Sequence, residues 1–208
     1  LIPTILQCTT KSKLVEMQLF DALQTKSGEI QRVQGNVTAF NMKGGTIGVL
    51  ETKNEFVIID SQFPDSVQHL LDAISAKGKP ISFLCNTHHH GDHTGGNIAF
   101  KGLTNNVLAQ TVVPKFQKER AIEQKKEDAQ LYANILFEKE YVKDFSGEKM
   151  KAMHLGAGHT FGDTIYHFEN SNAAHLGDLV FNNMMPVYRT KDGSNVFGWI
   201  IYLEKIDK

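Results

Sequence analysis

This chain is poor in the residues that announce a special compartment or partner. Only two cysteines, Cys8 and Cys85, occur in 208 residues, and they are far apart in sequence, so no disulfide framework is indicated. Cys85 lies in the apolar run "ISFLCN" and reads as an inert core thiol. An excess of one charge is also missing, since 22 Lys and Arg face 23 Asp and Glu for a formal net charge of −1. There is no long basic block, and recognition of nucleic acid requires a basic face. No apolar run is long enough to span a bilayer. What remains is the composition of an ordinary soluble globular protein, 41% hydrophobic and 22% charged, and length enough for one sizeable domain.

The opening "LIPTILQC" followed by "TTKSK" reads in two ways. It can be the end of a signal peptide's apolar region with Cys8 as a lipid-attachment site and a polar tether behind it, or simply an apolar N-terminal segment. Residues 1–30 are therefore expected to be a leader, tether or first irregular segment, and residues 31–208 the domain. The expected location is exported, periplasmic or lipid-anchored, and otherwise cytoplasmic.

"VTAFNMKGGTIGVLET" and "EFVIID" are β-rich runs joined by "KN", a hairpin signal. The second is continuously apolar, as in a strand covered on both faces. "DSVQHLLDAISAKG" spaces Val67, Leu70, Leu71 and Ile74 at helical intervals, with Gly78 as a stop. "PISFLCNT" is the next buried strand. Strand, helix and strand in that order deliver a polar loop at a carboxyl end, where open α/β sheets place their sites. "GGNIAFKG" then reads as a short helix and "NNVLAQ" as a short strand. From about Val113 to Phe137 the pattern is helical, with Pro114 near its start. "QKERAIEQKKEDAQ" is too polar to be buried. "KMKAMHL", "TIYHFE" and "NAAHLGDLVF" return to strands, separated by short polar loops.

The first polar loop, "NTHHHGDHTGGN", carries the densest chemistry. Residues two apart on an extended chain point the same way, so His88 and His90 can share one ion while His89 turns aside. Gly91 lets the chain turn and direct Asp92 and His93 toward a second position nearby. Imidazoles with a carboxylate suit Zn²⁺, and this spacing allows two ions close together. The second half must supply the remaining ligands. "GAGHTFGDT" offers His159 in a glycine-flanked loop. "AAHLGDLVF" offers Asp178 at a strand end, as a ligand or as a turn or cap residue. His69, in a helix, and His154, His167 and His175, in strands, read as packed or solvent-facing.

"THHHGDH", "GHTFGDT" and "GDLVF", in that order, resemble the metallo-β-lactamase fold superfamily. The resemblance covers the chain from about Gly35 to its end. It implies an α/β fold, an αββα four-layer sandwich with a dinuclear site at one edge. By position, it implies that His88, His90 and His159 bind the first zinc, that Asp92 and His93 bind the second, and that Asp178 bridges both. Asp60, ending "FVIID", matches the family's strand-end aspartate, which supports the histidine loop. The family's final histidine has no counterpart after Asp178, so a fragment lacking the last strand and helix is expected.

The implied mechanism is hydrolysis of a small-molecule substrate by a metal-bound hydroxide that attacks a carbonyl, with Asp92 orienting it. Asp178 stands where dedicated β-lactamases of the family carry cysteine or serine, and it resembles the glyoxalase II, lactonase and general hydrolase branches. The quorum-signal lactonases place a tyrosine where this chain has Phe181. Alternatives are a true β-lactamase and an iron-dependent persulfide dioxygenase-like oxidoreductase. Diiron electron-transfer relatives put a glutamate where this chain has His90, which counts against them.

Overall fold

The structure is a computed structural model. It describes residues 28–181 and 184–206, and the backbone of residues 18 and 19. Cys8 and the leader or tether expected around it lie outside the described residues. Among the described residues, no helix is long and apolar enough to cross a membrane.

Two sheets form the centre. The larger has seven strands in sequential order: β2 (Glu29–Gln34), β3 (Val37–Asn41), β4 (Ile47–Glu51), β5 (Phe56–Ile59), β6 (Ile81–Cys85), β7 (Val107–Gln110) and β8 (Ile135–Phe137). Strands β2 to β5 pair antiparallel, and β5 to β8 pair parallel. The smaller sheet has the order β1 (Gln18–Leu19), β12 (Ala173–His175), β11 (Ile165–Phe168), β10 (Glu148–Met153) and β9 (Glu140–Phe145).

The sheets face each other across one apolar core, in which Val57, Ile59 and Cys85 meet Met150, Tyr166 and Phe168. The outer face of the larger sheet is covered by α1 (Pro64–Ser75), where Phe56 and Ile58 pack with Val67, Leu70 and Ile74. That explains the unbroken apolar run of β5, since alternate residues enter different cores. On the outer face of the smaller sheet, Trp199 and Tyr202 of α4 (Val196–Ile206) pack with Ile165 and Ala174. The order of layers is α, β, β, α, as the motif resemblance implied.

The structure differs from the sequence reading at three places. The helix expected to reach Phe137 is α3 (Val113–Gln124) alone, closed by Lys125 in the left-handed region at φ 54°. The charged stretch after it has no apolar face to bury. Ile135 and Phe137 do, and they join the inter-sheet core as the edge strand β8. The run "VTAFNMKGGTIGVLET" is two strands, β3 and β4, hinged at Gly44 and Gly45, and the "KN" hairpin joins β4 to β5. His154 directly follows β10 rather than lying within it.

Candidate metal centre

The site is assembled from strand ends and the loops that follow them. β5 ends at Asp60, which is fully buried with φ 63°, a conformation unusual outside glycine. Its carboxylate has three partners. Oδ1 accepts from the Thr87 backbone N–H at 2.8 Å, and Oδ2 accepts from the Thr87 hydroxyl and from His93 Nδ1, each at 2.7 Å. One buried carboxylate thus fixes both ends of the histidine loop that follows β6. The short helix α2 (Gly91–Thr94) then carries Asp92 and His93.

Opposite lie two loops from the smaller sheet. The turn before β11 presents His159, and its shape is set by Asp163, whose carboxylate accepts from the backbone N–H of Gly158 and Thr160 and from the Thr160 hydroxyl. Burial pushes the Asp163 carboxyl above its ordinary range. The turn after β12 presents Asp178, one residue beyond Gly177, which has φ 54°. A side chain at Gly177 would strike Thr87, because its Cβ would stand 2.6 Å from the threonine hydroxyl. Glycine before the aspartate is therefore required by close approach as well as by conformation.

The predicted residues meet. Ligand atoms of His88, His90, His159 and Asp178 lie within 4.8 Å of one another, as do those of Asp92, His93 and Asp178. His90 Nδ1 stands 3.1 Å from His88 Nε2 and 3.0 Å from His159 Nε2. A neutral imidazole carries one ring proton, so the partners of the distal nitrogens decide what those three atoms are. The Thr87 hydroxyl proton goes to Asp60, so His88 Nδ1 donates to the Thr87 oxygen at 3.0 Å. His159 Nδ1 donates to the Val187 carbonyl at 3.0 Å, and His90 Nε2 donates to Asp192 Oδ2 at 3.2 Å. Each distal proton is used outward, so three bare lone pairs converge inward. That arrangement is repulsive unless a cation occupies it, and the donor set fits a divalent metal.

Electrostatics separate the two halves of the cluster. Burial, then the neighbouring His93 and His90, holds the His88 pKa well below its usual value. Burial, then His159, lowers that of His90 to about 4. Both are neutral, metal-ready imidazoles at pH 7. His93 is opposite in sense. Burial disfavours its charge, but Asp178 and Asp60 outweigh that and hold its pKa well above the usual value. Burial likewise opposes charge on Asp178, yet His93 and His159 keep its carboxyl well below the ordinary range. His93 Nε2 lies 3.0 Å from Asp178 Oδ1 but has no hydrogen bond of good geometry, and is an orphaned buried polar atom. A metal at the second position would satisfy it.

The hinge between β3 and β4 closes over this half. A Cβ at Gly45 would lie 2.6 Å from His93 Cε1, and one at Gly44 would lie 2.6 Å from Asp92 Cβ. Gln62 fixes that hinge, donating to the Gly45 carbonyl and accepting from the Lys43 N–H at 3.0 Å. Asp92 is the most open of the group, with its side chain 39% exposed against 1% for His93. It faces a cavity of ≈ 580 Å³ that His90, His159, Arg120 and Arg189 also line.

Sequence reasoning placed His89 aside, and its ring packs on Phe116 with centroids 5.2 Å apart. It still groups with His90 and Asp192, their ligand atoms lying within 4.8 Å. His175 and His154 bind backbone, at the Thr46 and Asp163 carbonyls. Asp192 was missed. It sits in "TKDGS", which reads as a plain turn, and only the fold brings it to His90. The motif "GHTFGDT" did contain Asp163, but nothing in the spacing revealed that it organises the loop.

The comparisons agree with this fold. The family model for the metallo-beta-lactamase superfamily matches residues 42–200. A hydroxyacylglutathione hydrolase of Maricaulis maris is 29% identical over 54% of this chain and 39% of its own length. One from Pelagibacter ubique is 27% identical over 64% of this chain and 48% of its own length. The matched stretch thus spans less than half the length of these relatives. A solved metallo-beta-lactamase from Pontibacter korlensis superposes with TM-score 0.67 at 17% identity, covering 86% of this chain and 84% of that one. With a family model matching most of its length, two facing sheets between outer helices and a convergent histidine cluster, this chain belongs to the metallo-beta-lactamase superfamily.

Proposed function

We propose that this chain belongs to a zinc-dependent hydrolase that cleaves a small carbonyl substrate, an ester, lactone, thioester or lactam. One observation carries the reading: the ring nitrogens of His88 and His159 converge on His90 Nδ1, at 3.1 and 3.0 Å, beside the Asp178 carboxylate. His88, His90 and His159 would hold one ion, and Asp92 and His93 a second. Asp178 would serve both, because Oδ2 faces His159 at 3.3 Å while Oδ1 faces His93 at 3.0 Å. Imidazole and carboxylate donors without thiolate suit zinc. Zinc held there supplies a Lewis acid and brings the pKa of a bound water down toward neutrality.

The chain's own residues supply the rest. Asp92, exposed to the cavity, can accept a hydrogen bond from the attacking water at Oδ2 and carry its proton to the leaving group. Asp60 keeps His93 in the tautomer that presents Nε2 inward. Lys126 and Arg189 line the cavity and favour a substrate with an anionic group. The relatives named hydroxyacylglutathione hydrolase make an acyl thioester of glutathione the first substrate to test.

The test is a panel of thioester, lactone, ester and lactam substrates with full-length, zinc-loaded protein, together with metal analysis as purified. Turnover that is lost on chelation and restored by zinc is expected. A zinc-loaded protein inert on every class, or one that purifies with iron and gains nothing from zinc, would contradict the reading.

A further inference from the structure

We infer that Asp192, clamped by Arg120, is a positioning residue for His90 that ties the cavity-wall helix α3 to the metal-ligand set. The inference rests on the metal reading above. Of the three converging histidines, His88 and His159 anchor their distal nitrogens on nearby loop atoms, the Thr87 hydroxyl and the Val187 carbonyl. His90 differs. It presents Nδ1 inward, so its Nε2–H points out toward the cavity wall, where water can compete for it. Its acceptor is Asp192 Oδ2, 102 residues away in sequence and 3.2 Å away in space.

That acceptor is held from two sides. On the backbone, the Asp192 carbonyl accepts from the Phe161 N–H at 3.0 Å, and the Ser194 hydroxyl donates to the His159 carbonyl at 2.7 Å. Gly193 completes the turn at φ 104°, where an added Cβ would stand 2.5 Å from the Phe161 nitrogen. The Asp192 turn and the His159 loop therefore form one unit. On the side chain, Arg120 Nη2 lies 3.1 and 3.2 Å from the two carboxylate oxygens, and fixes the carboxylate's rotation. Arg120 comes from α3, and its other terminal nitrogen meets Glu123 at 3.0 Å. A guanidinium on α3 thus orients a carboxylate, which orients the ring that offers Nδ1 to the metal.

The readout is zinc affinity by competition with a chromophoric chelator, with the visible spectrum of the Co²⁺-loaded protein as a reporter of first-site geometry. D192A is expected to weaken the tighter zinc by about 10- to 100-fold, the range seen when the outer partner of a ligating histidine is removed. D192N, which keeps an acceptor for His90, should lose no more than about threefold, and R120A should fall between the two with an altered Co²⁺ spectrum. Because Arg120 acts through Asp192, the double variant D192A/R120A should bind no more weakly than D192A.

Wild-type zinc affinity in D192A would overturn the inference, and so would losses that simply add in the double variant. If D192A fails to fold by near-ultraviolet circular dichroism, R120A decides. An unchanged affinity and Co²⁺ spectrum there would remove the clamp. Wild-type protein that binds no zinc would overturn the metal reading itself, a separate result from wild-type binding with indifferent variants.

Discussion

The two halves of the candidate metal centre both include Asp178 but are built on opposite electrostatic principles. Around His88 and His90, burial and neighbouring imidazoles depress ring basicity, and the distal nitrogens of these two and of His159 each donate to a fixed acceptor. Around His93, two carboxylates hold a proton on the ring, and the other candidate donor, Asp92, is 39% exposed. The first half is prepared for a cation before one arrives. In the second, a cation must displace a proton and draw in an open side chain. On the proposed reading the same loop would encode a tight position and a conditional one, and the difference would come from Asp60 and Asp178 rather than from the histidine count.

The largest effect should come from emptying the prepared half. His88→Ala or His159→Ala should cost more than about a hundredfold in affinity for the tighter zinc, beyond what loss of an outer partner does, and abolish most hydrolysis. Metal content after dialysis and turnover on the best panel substrate measure this. Wild-type zinc retention in either variant would erase the distinction between the halves.

pH should separate them next. His90 stays neutral down to about 4 and His88 is also held low, so proton competition at these two ligands should change the first affinity little between pH 8 and 6. His93 has its pKa raised, so a metal at the second position competes with a proton, and affinity there should fall by about tenfold for each unit of acidification. Stepwise zinc titrations at several pH values read both slopes.

A subtler way to sharpen the comparison is Gly45→Ala, whose new Cβ would stand 2.6 Å from His93 Cε1. It should displace His93 and weaken the second zinc by roughly tenfold, an effect like that of losing a positioning partner, while sparing the first. Equal losses at both positions would show that the halves are mechanically one.

The smallest effect per residue concerns the metal-free fold. His88, His89 and His90 have folded pKa values below the unfolded value near 6.5, so unfolding takes up protons as the pH falls below it. Stability should drop by about 1 kcal/mol per histidine per pH unit between pH 6 and 5. His93 has the opposite sign, its contribution being fully present at low pH and lost only as pH rises through its raised folded value, so it adds nothing to that slope. Metal-free thermal melts across pH, compared with zinc-loaded ones, measure it.

Much of this was legible in the sequence because the chemistry is local there. His88, His90, Asp92 and His93 lie within six residues, and strand and turn geometry alone divides them between two positions. The continuous apolar run of β5 and the helical spacing of α1 likewise expose their own burial. What could not be read depends on distance. Asp192 looks like any turn aspartate until the fold sets it against His90 and Arg120. The end of α3 is hidden in the sequence because no glycine or proline interrupts residues 115–137, and only the sheet edge beside β7 gives Ile135 and Phe137 a burial of their own.

The most direct test is a stepwise zinc titration of the full-length wild type at pH 7 beside His90→Ala. The expected result is two bound ions in the wild type, the first markedly tighter, with that first step removed by the substitution. No tight zinc in the wild type, or a tight step that survives loss of His90, would contradict the assignment of the three convergent imidazoles as the metal centre.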